Sequence, residues 1–377
     1  MAVCLFKIDT YLGILRGQPA LTMPEELHYT LPSTHCLWNG DGLDKWEARQ
    51  ATEPLFRSQK SIFHMINDNT WDSEFPTEEP LLIEDLQLCI CALQSNIWRL
   101  SQRARDSDEN EISTVLQKDS LRRRLDALKL RLDQMAHQNT EGVDFGDEKT
   151  LPLRHYFGYE DQSQPGWQGE VISRVKSLSF DSLMLYHLFS LHLLAEVGTL
   201  TQLAKDQNTT TTFERHRRAR EQRLSATERW TGTPTARQAL CHAVEILVEH
   251  QAIFLGPNKT TGLEKDTLDP ISYIALSCAA LVVWAYCTFG LHKCDICTQG
   301  SASTGVIPVV ELTEFCGSDS QQDEKDSWLA MRGGCGVQLQ GISLCQCNMK
   351  FLMTLFRVCM PEGWEVADTI APGVLKI

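Results

Sequence analysis

Apolar residues recur along this chain at intervals of three and four, the spacing that gathers them on one face of a helix. Leu5, Ile8, Leu12 and Leu15 already form one such stripe, and Gly17 with Pro19 marks where that helix must stop. Pro24 and Pro32 then hold an extended arm carrying Glu25 and Glu26. The same spacing predicts helices over 54–67 and over 84–102, the latter through Leu86, Ile90, Leu93, Ile97 and Leu100. After a charged stretch at 103–111 it returns over 112–137, 180–203, 213–230, 234–254 and 349–360. Residues 140–169 and 299–326 are rich in turn-forming and polar residues and read as connections. The expected fold is all-α, an irregular assembly of many helices.

One segment departs from the amphipathic pattern. Residues 271–291 carry no charge, and as a helix they would reach about 31 Å, enough to span a bilayer. Ser272, Tyr273, Ser277, Thr288 and two cysteines dilute the hydrophobicity, and only His292 and Lys293 follow as a basic flank. A central helix buried on all sides by other helices is the favoured reading, with a membrane anchor through 271–291 as the alternative.

Over 112–137 the apolar positions Leu121, Leu125, Leu128, Leu132 and Met135 alternate by four and three, as a coiled-coil seam would. The same register puts Thr114 and Lys118 on the seam, and Arg122, Arg124, Lys129 and Arg131 beside it, where like charges would meet in a parallel pair. Docking on its own domain or on an acidic helix is therefore expected over self-pairing.

Composition narrows the function. Of 377 residues 42% are hydrophobic and 22% charged, ordinary for a globular protein, and 35 basic against 49 acidic side chains leave a net charge of −14. That balance disfavours a chain-wide phosphate-binding surface, which depends on Lys and Arg displacing counterions. Fourteen cysteines are too few for a disulfide scaffold at this length, and several, such as Cys278, Cys287 and Cys345, lie in apolar runs. A reduced, intracellular setting is expected, and the N-terminus, with Lys7 and Asp9 inside its apolar stretch, does not have the form of a signal peptide.

Candidate chemistry is sparse. Cys294 and Cys297 form a Cys-x-x-Cys pair and Cys345 and Cys347 lie about fifty residues further on, a weak candidate zinc set. His192 and Glu196 would lie one turn apart on a helix, and His187, five residues before His192, would point elsewhere, so these histidines read as structural. Gly333, Gly334, Gly336 and Gly341 miss the dinucleotide fingerprint, since Leu339 stands where its third glycine belongs, and read as a turn. Arg215, Arg217, Arg218, Arg220 and Arg223 make the most basic patch, a candidate nuclear-import signal or a solvated helix face. No nucleophile elbow, phosphate-binding loop or zinc-protease motif is present, and the protein reads as a non-enzyme.

The succession of residues at the two ends carries a resemblance. Phe6, Asp9 and Tyr11 in the first helix, then Arg16, Gly17 and Pro19, Pro24-Glu25-Glu26-Leu27 and Leu31-Pro32-Ser33, are followed much later by Asp269-Pro270, by Trp284 and Tyr286, and by Gly363-Trp364 and Pro372-Gly373. This resembles the regulatory middle homology region of fungal transcription factors, of the kind that accompanies two-Cys-two-His zinc fingers or the related six-cysteine binuclear cluster. The resemblance implies that 1–102 is the second half of that region, 103–169 a charged helix and linker, and 170–377 a C-terminal helical domain.

It further implies a nuclear protein acting on RNA polymerase II transcription through co-regulators, its own DNA-binding region or a small-molecule effector. Direct contact with nucleic acid or membrane is not expected. Zinc is expected only in a DNA-binding region that this chain lacks, so no cofactor is assigned to the chain itself. A finger-less interaction module without DNA binding is the alternative.

Overall fold

A computed structural model describes residues 2–67, 81–106, 111–140, 151–160, 165–207, 214–255, 268–290, 309–316, 322–331 and 336–375. The described residues are overwhelmingly helical, with one small sheet, and the fold is all-α in class. The chain packs as two compact units, one running to Tyr186 and the other from His187 onward.

The first unit holds α1 (Ala2–Arg16), α2 (His35–Trp38), α3 (Leu43–Gln50), α4 (Phe56–Gln59), α5 (Ile62–Asn67), α6 (Ile83–Cys91), α7 (Gln94–Asp106), α8 (Glu111–Thr140), α9 (Leu151–Arg154) and the start of α10 (Trp167–Leu194). Helix α1 buries Phe6, Thr10, Tyr11 and Gly13 and turns Leu5, Ile8 and Leu12 outward, at 59%, 52% and 40% exposure. Its apolar stripe is thus not its packed face. A Cβ on Gly13 would come within 3.1 Å of the Gln94 amide, so close approach to α7 selects the glycine side instead.

The end of α1 is closed by Gly17 at φ +61, with Gly17 N donating to Ile14 O and Gln18 N to Gly13 O. This is the paired bonding of a Schellman cap, and glycine takes the left-handed position without a Cβ penalty. The arm that follows is then tied down. Gln94 accepts from Ala20 N at 2.9 Å and donates to Gln18 O at 2.8 Å, Trp98 Nε1 donates to Gly17 O at 2.7 Å, and Asp9 accepts from Thr22 N at 2.7 Å.

Arg57 and Asp85 form a bidentate pair at 2.7 and 3.0 Å with both residues shut away from solvent. Arg57 Nε also donates to Pro32 O, and Asp85 accepts from Leu82 N to cap α6, so one ion pair fixes the proline arm, α4 and α6 together. The seam residues Leu121, Leu125, Leu128, Leu132 and Met135 are buried, and α8 packs on α6 and α7.

The second unit continues through the end of α10, α11 (Val197–Gln207), α12 (Glu214–Thr231), α13 (Pro234–Leu255), α14 (Pro270–Phe289), β1 (Val309–Glu311), α15 (Gln322–Ala330), β2 (Gly336–Leu339), β3 (Ile342–Ser343), α16 (Met349–Arg357) and α17 (Val366–Ile370). At its centre lies α14, in which every residue from Ile271 to Cys287 is buried. Asp269 caps it by accepting from Ile271 N at 3.0 Å, and Pro270 occupies the first turn, where its missing N–H is no loss. Helices α11, α12, α13, α16 and α17 cover it. It is long and apolar enough to cross a membrane, and 94% of that span is buried within the protein.

The helix expected over 180–203 is two helices meeting at 79°. Glu196 stands at the break, where its carbonyl accepts from Thr199 N and its carboxylate from Thr199 Oγ1, capping α11 at 2.8 and 3.0 Å. His192 and Glu196 therefore do not share one helical face. The sheet was not foreseen from the sequence: β1 runs parallel to β2 and β2 antiparallel to β3. Gln340 and Gly341, both at positive φ, make the tight turn between β2 and β3. The Glu311 carboxylate braces that turn, accepting from the backbone N–H groups of Gln340 and Gly341 at 2.9 and 2.8 Å.

Candidate functional site

Helix α13 packs on α14 and buries Ala239, Leu240, Ala243, Val244 and Leu247, while His242 and Glu245 are only half-buried. Their separation of three residues puts both on one side of a helix. His187, on the last part of α10, is 3% exposed and meets them. Its Nδ1 lies 3.0 Å from His242 Nδ1 and 3.3 Å from Glu245 Oε2, and His242 Nδ1 lies 3.6 Å from the same oxygen. Three side chains from two helices thus bring two nitrogens and an oxygen into one small triangle.

Lys325 of α15 completes the cluster from outside, its Nζ 3.2 Å from the other carboxylate oxygen, Glu245 Oε1. Burial opposes the Lys325 charge, but the Glu245 carboxylate outweighs it and raises the lysine above its usual range, so the ammonium is retained. Two thiols feel the same charges. Burial pushes both Cys241 and Cys316 up to about 12, with the Glu245 carboxylate adding to the effect, so at neutral pH they stand beside the cluster as thiols rather than thiolates.

A second feature is a cleft of about 380 Å³ in the first unit, lined by Asn96, Arg99, Leu100, Gln117, Leu121 and Arg124. It lies between α7 and α8, is partly open to solvent, and mixes polar and apolar lining. Arg124 is already engaged there, donating to the carbonyl of Ile66.

The residues singled out from the sequence distribute differently. Cys345 is buried and Cys347 exposed, while Cys294 and Cys297 lie outside the described residues. On α12 Arg217 and Arg218 are exposed, Arg217 facing Glu221 at 3.8 Å. Arg220 and Arg223 are half-buried, and Arg223 pairs with Asp206 at 2.6 Å. The side chain of Arg215 lies outside the described set. The signature residues Phe6, Tyr11, Pro24, Trp284 and Tyr286 are buried, Asp9 and Gly17 shape the chain after α1 with Pro19 following, and Glu25 is the middle residue of the short 3-10 turn Pro24–Glu26.

His242 and Glu245 were missed by sequence reasoning, and His187 was dismissed because it was weighed only against His192. The signal was the His-x-x-Glu spacing at 242–245, which is common in helices and gains meaning only when a third ligand arrives from elsewhere. No protein-family model, curated protein or solved structure matches this chain.

Proposed function

We propose that this chain is the helical regulatory portion of a fungal zinc-finger transcription factor, acting in the nucleus on RNA polymerase II transcription. It works through contacts with co-regulators, with a DNA-binding region or with an effector, and not by reading bases. The observation that carries this reading is the signature over residues 6–33, whose residues serve packing and turn geometry: Phe6 is buried, Asp9 holds Thr22, and Gly17 takes the left-handed cap. Such residues specify a scaffold, so their succession speaks for a shared body rather than a shared reaction. The net charge of −14 agrees with a body that leaves phosphate contact to another segment. A small acidic effector would find Arg99 in the cleft between α7 and α8.

The exposed stripe of Leu5, Ile8 and Leu12 favours a second reading, a finger-less module that captures a partner helix. The experiment is to fuse the chain to an unrelated DNA-binding domain and measure a reporter carrying that domain's site. A change in transcription of several fold over the DNA-binding domain alone is expected for a regulatory body. No change in either direction, with the fusion present in the nucleus, would sink the transcriptional reading and leave partner capture.

A further inference from the structure

We propose that His187, His242 and Glu245 bind one divalent transition-metal ion of the zinc class through the two Nδ1 atoms and Oε2, leaving a fourth position open. Two neutral imidazoles whose Nδ1 atoms lie 3.0 Å apart cannot both carry hydrogen there, so at least one nitrogen presents a lone pair to the other. The same two atoms face Glu245 Oε2 at 3.3 and 3.6 Å. A single proton between the nitrogens serves one edge of the triangle and leaves a lone pair turned toward a carboxylate. A cation at the centre serves all three edges at once.

The size of the triangle identifies the cation. Bonds of about 2.0–2.1 Å at tetrahedral angles separate neighbouring ligand atoms by about 3.3–3.4 Å. The observed 3.0, 3.3 and 3.6 Å bracket that value. Two imidazoles and one carboxylate suit zinc and its neighbours in the first transition row, and not calcium or magnesium, which take oxygen. Three protein ligands with an open fourth position is the arrangement of a site that can accept a water or a donor atom from a bound molecule.

Lys325 fits as an outer partner, since it holds Oε1 while Oε2 points at the triangle, fixing the carboxylate as hydrogen bonds to metal ligands commonly do. Its charge also opposes a dication nearby, so the site binds more weakly than the same ligands would without it. This site is separate from the zinc of a DNA-binding region, and it stands whether or not the chain regulates transcription.

The test uses the whole 377-residue chain, stripped with a chelator and titrated with cobalt(II) and zinc(II). The cysteines elsewhere can also bind these ions, but cobalt on thiolate shows a sulfur-to-metal charge-transfer band and cobalt on this triangle does not. The expected result is one tightly bound cobalt with tetrahedral ligand-field bands and no thiolate band, which is lost in His242→Ala and in Glu245→Gln. Where either variant fails to fold, Lys325→Met keeps all three ligands and is expected to retain one bound cobalt with the same tetrahedral, thiolate-free spectrum. No tetrahedral, thiolate-free cobalt in the parent chain or in Lys325→Met, or an unchanged stoichiometry and spectrum in the ligand variants, would overturn the proposal.

Discussion

Arg57 and Asp85 in the first unit, and His187, His242 and Glu245 in the second, are groups of polar side chains drawn out of water by packing, but only the first balances itself. The guanidinium offers its planar fork to both carboxylate oxygens and donates Nε–H to Pro32 O, so the two charges cancel within the group. In the second group a proton on one Nδ1 serves the edge between the imidazoles and leaves the other nitrogen's lone pair turned toward Oε2, while the Lys325 ammonium lies on Oε1. A closed pair of this kind is a structural fastener. An open one is a place for something else to bind.

The contrast extends to single buried groups. In the first unit burial raises Glu84 to about 7, and its Oε2 has no hydrogen-bond partner among the described residues. In the second, burial lowers His192 and His250 to about 4, and His250 Nδ1 lies 2.7 Å from Ile246 O, fixing its tautomer. Desolvation favours the neutral form of all three, yet they bend stability in opposite directions with pH. Glu84 contributes fully below about 4.5, and that contribution is lost as pH rises through about 7. The histidines contribute fully above about 6.5 and lose it as pH falls toward 4.

The largest effect should come from opening the closed pair. Arg57→Met leaves Asp85 buried without its partner and is expected to destabilise the first unit by about 3–5 kcal/mol in urea unfolding. Adding Asp85→Leu should recover most of that loss; a double variant as unstable as the single would show that the partner contacts, and not the unpaired charge, set the penalty. Next in size is the packed face of α1, where Phe6→Ala is expected to lose about 3–4 kcal/mol.

The pH contrast comes third. Between pH 6.5 and 4, amide exchange in the core of the second unit should accelerate, with His250 alone accounting for up to about 3 kcal/mol. His192→Leu should lessen the change, while Glu84→Gln should flatten the opposite slope of the first unit near neutrality. Parallel pH profiles for the two sets of amides would erase the comparison. The smallest effect belongs to the outward stripe, where Leu5→Ser should shift stability by no more than about 0.5 kcal/mol. A larger loss would mean that the stripe is covered in solution.

Much of the fold was legible because its causes are local. Asp269-Pro270 followed by seventeen buried residues is a cap and an apolar run within a single segment, so α14 could be read with its ends and its burial. The heptad of α8 was legible for the same reason, with docking on its own domain or on an acidic helix expected over self-pairing, and packing on α6 and α7 decides for the first. The break between α10 and α11 was not, because nothing in the apolar spacing over 180–203 interrupts it. Glu196 stands at that break and bonds Thr199 in the first turn of α11, and a glutamate inside an apolar helix is ordinary in sequence.

What the sequence determined by itself is therefore the helical class, the central buried helix and the turn that closes α1, each set by residues a few positions apart. What only the tertiary structure decided is which side of a helix meets a neighbour. On α1 the more apolar stripe lost to the side where Gly13 lets Gln94 approach, because contact distance outweighs hydrophobicity when two backbones must come close. On α13 the pair His242 and Glu245 acquired His187 from a helix fifty-five residues earlier, and Lys325 from one eighty residues later. No spacing along the chain encodes such meetings, since they are fixed by how helices pack and not by where residues stand in sequence.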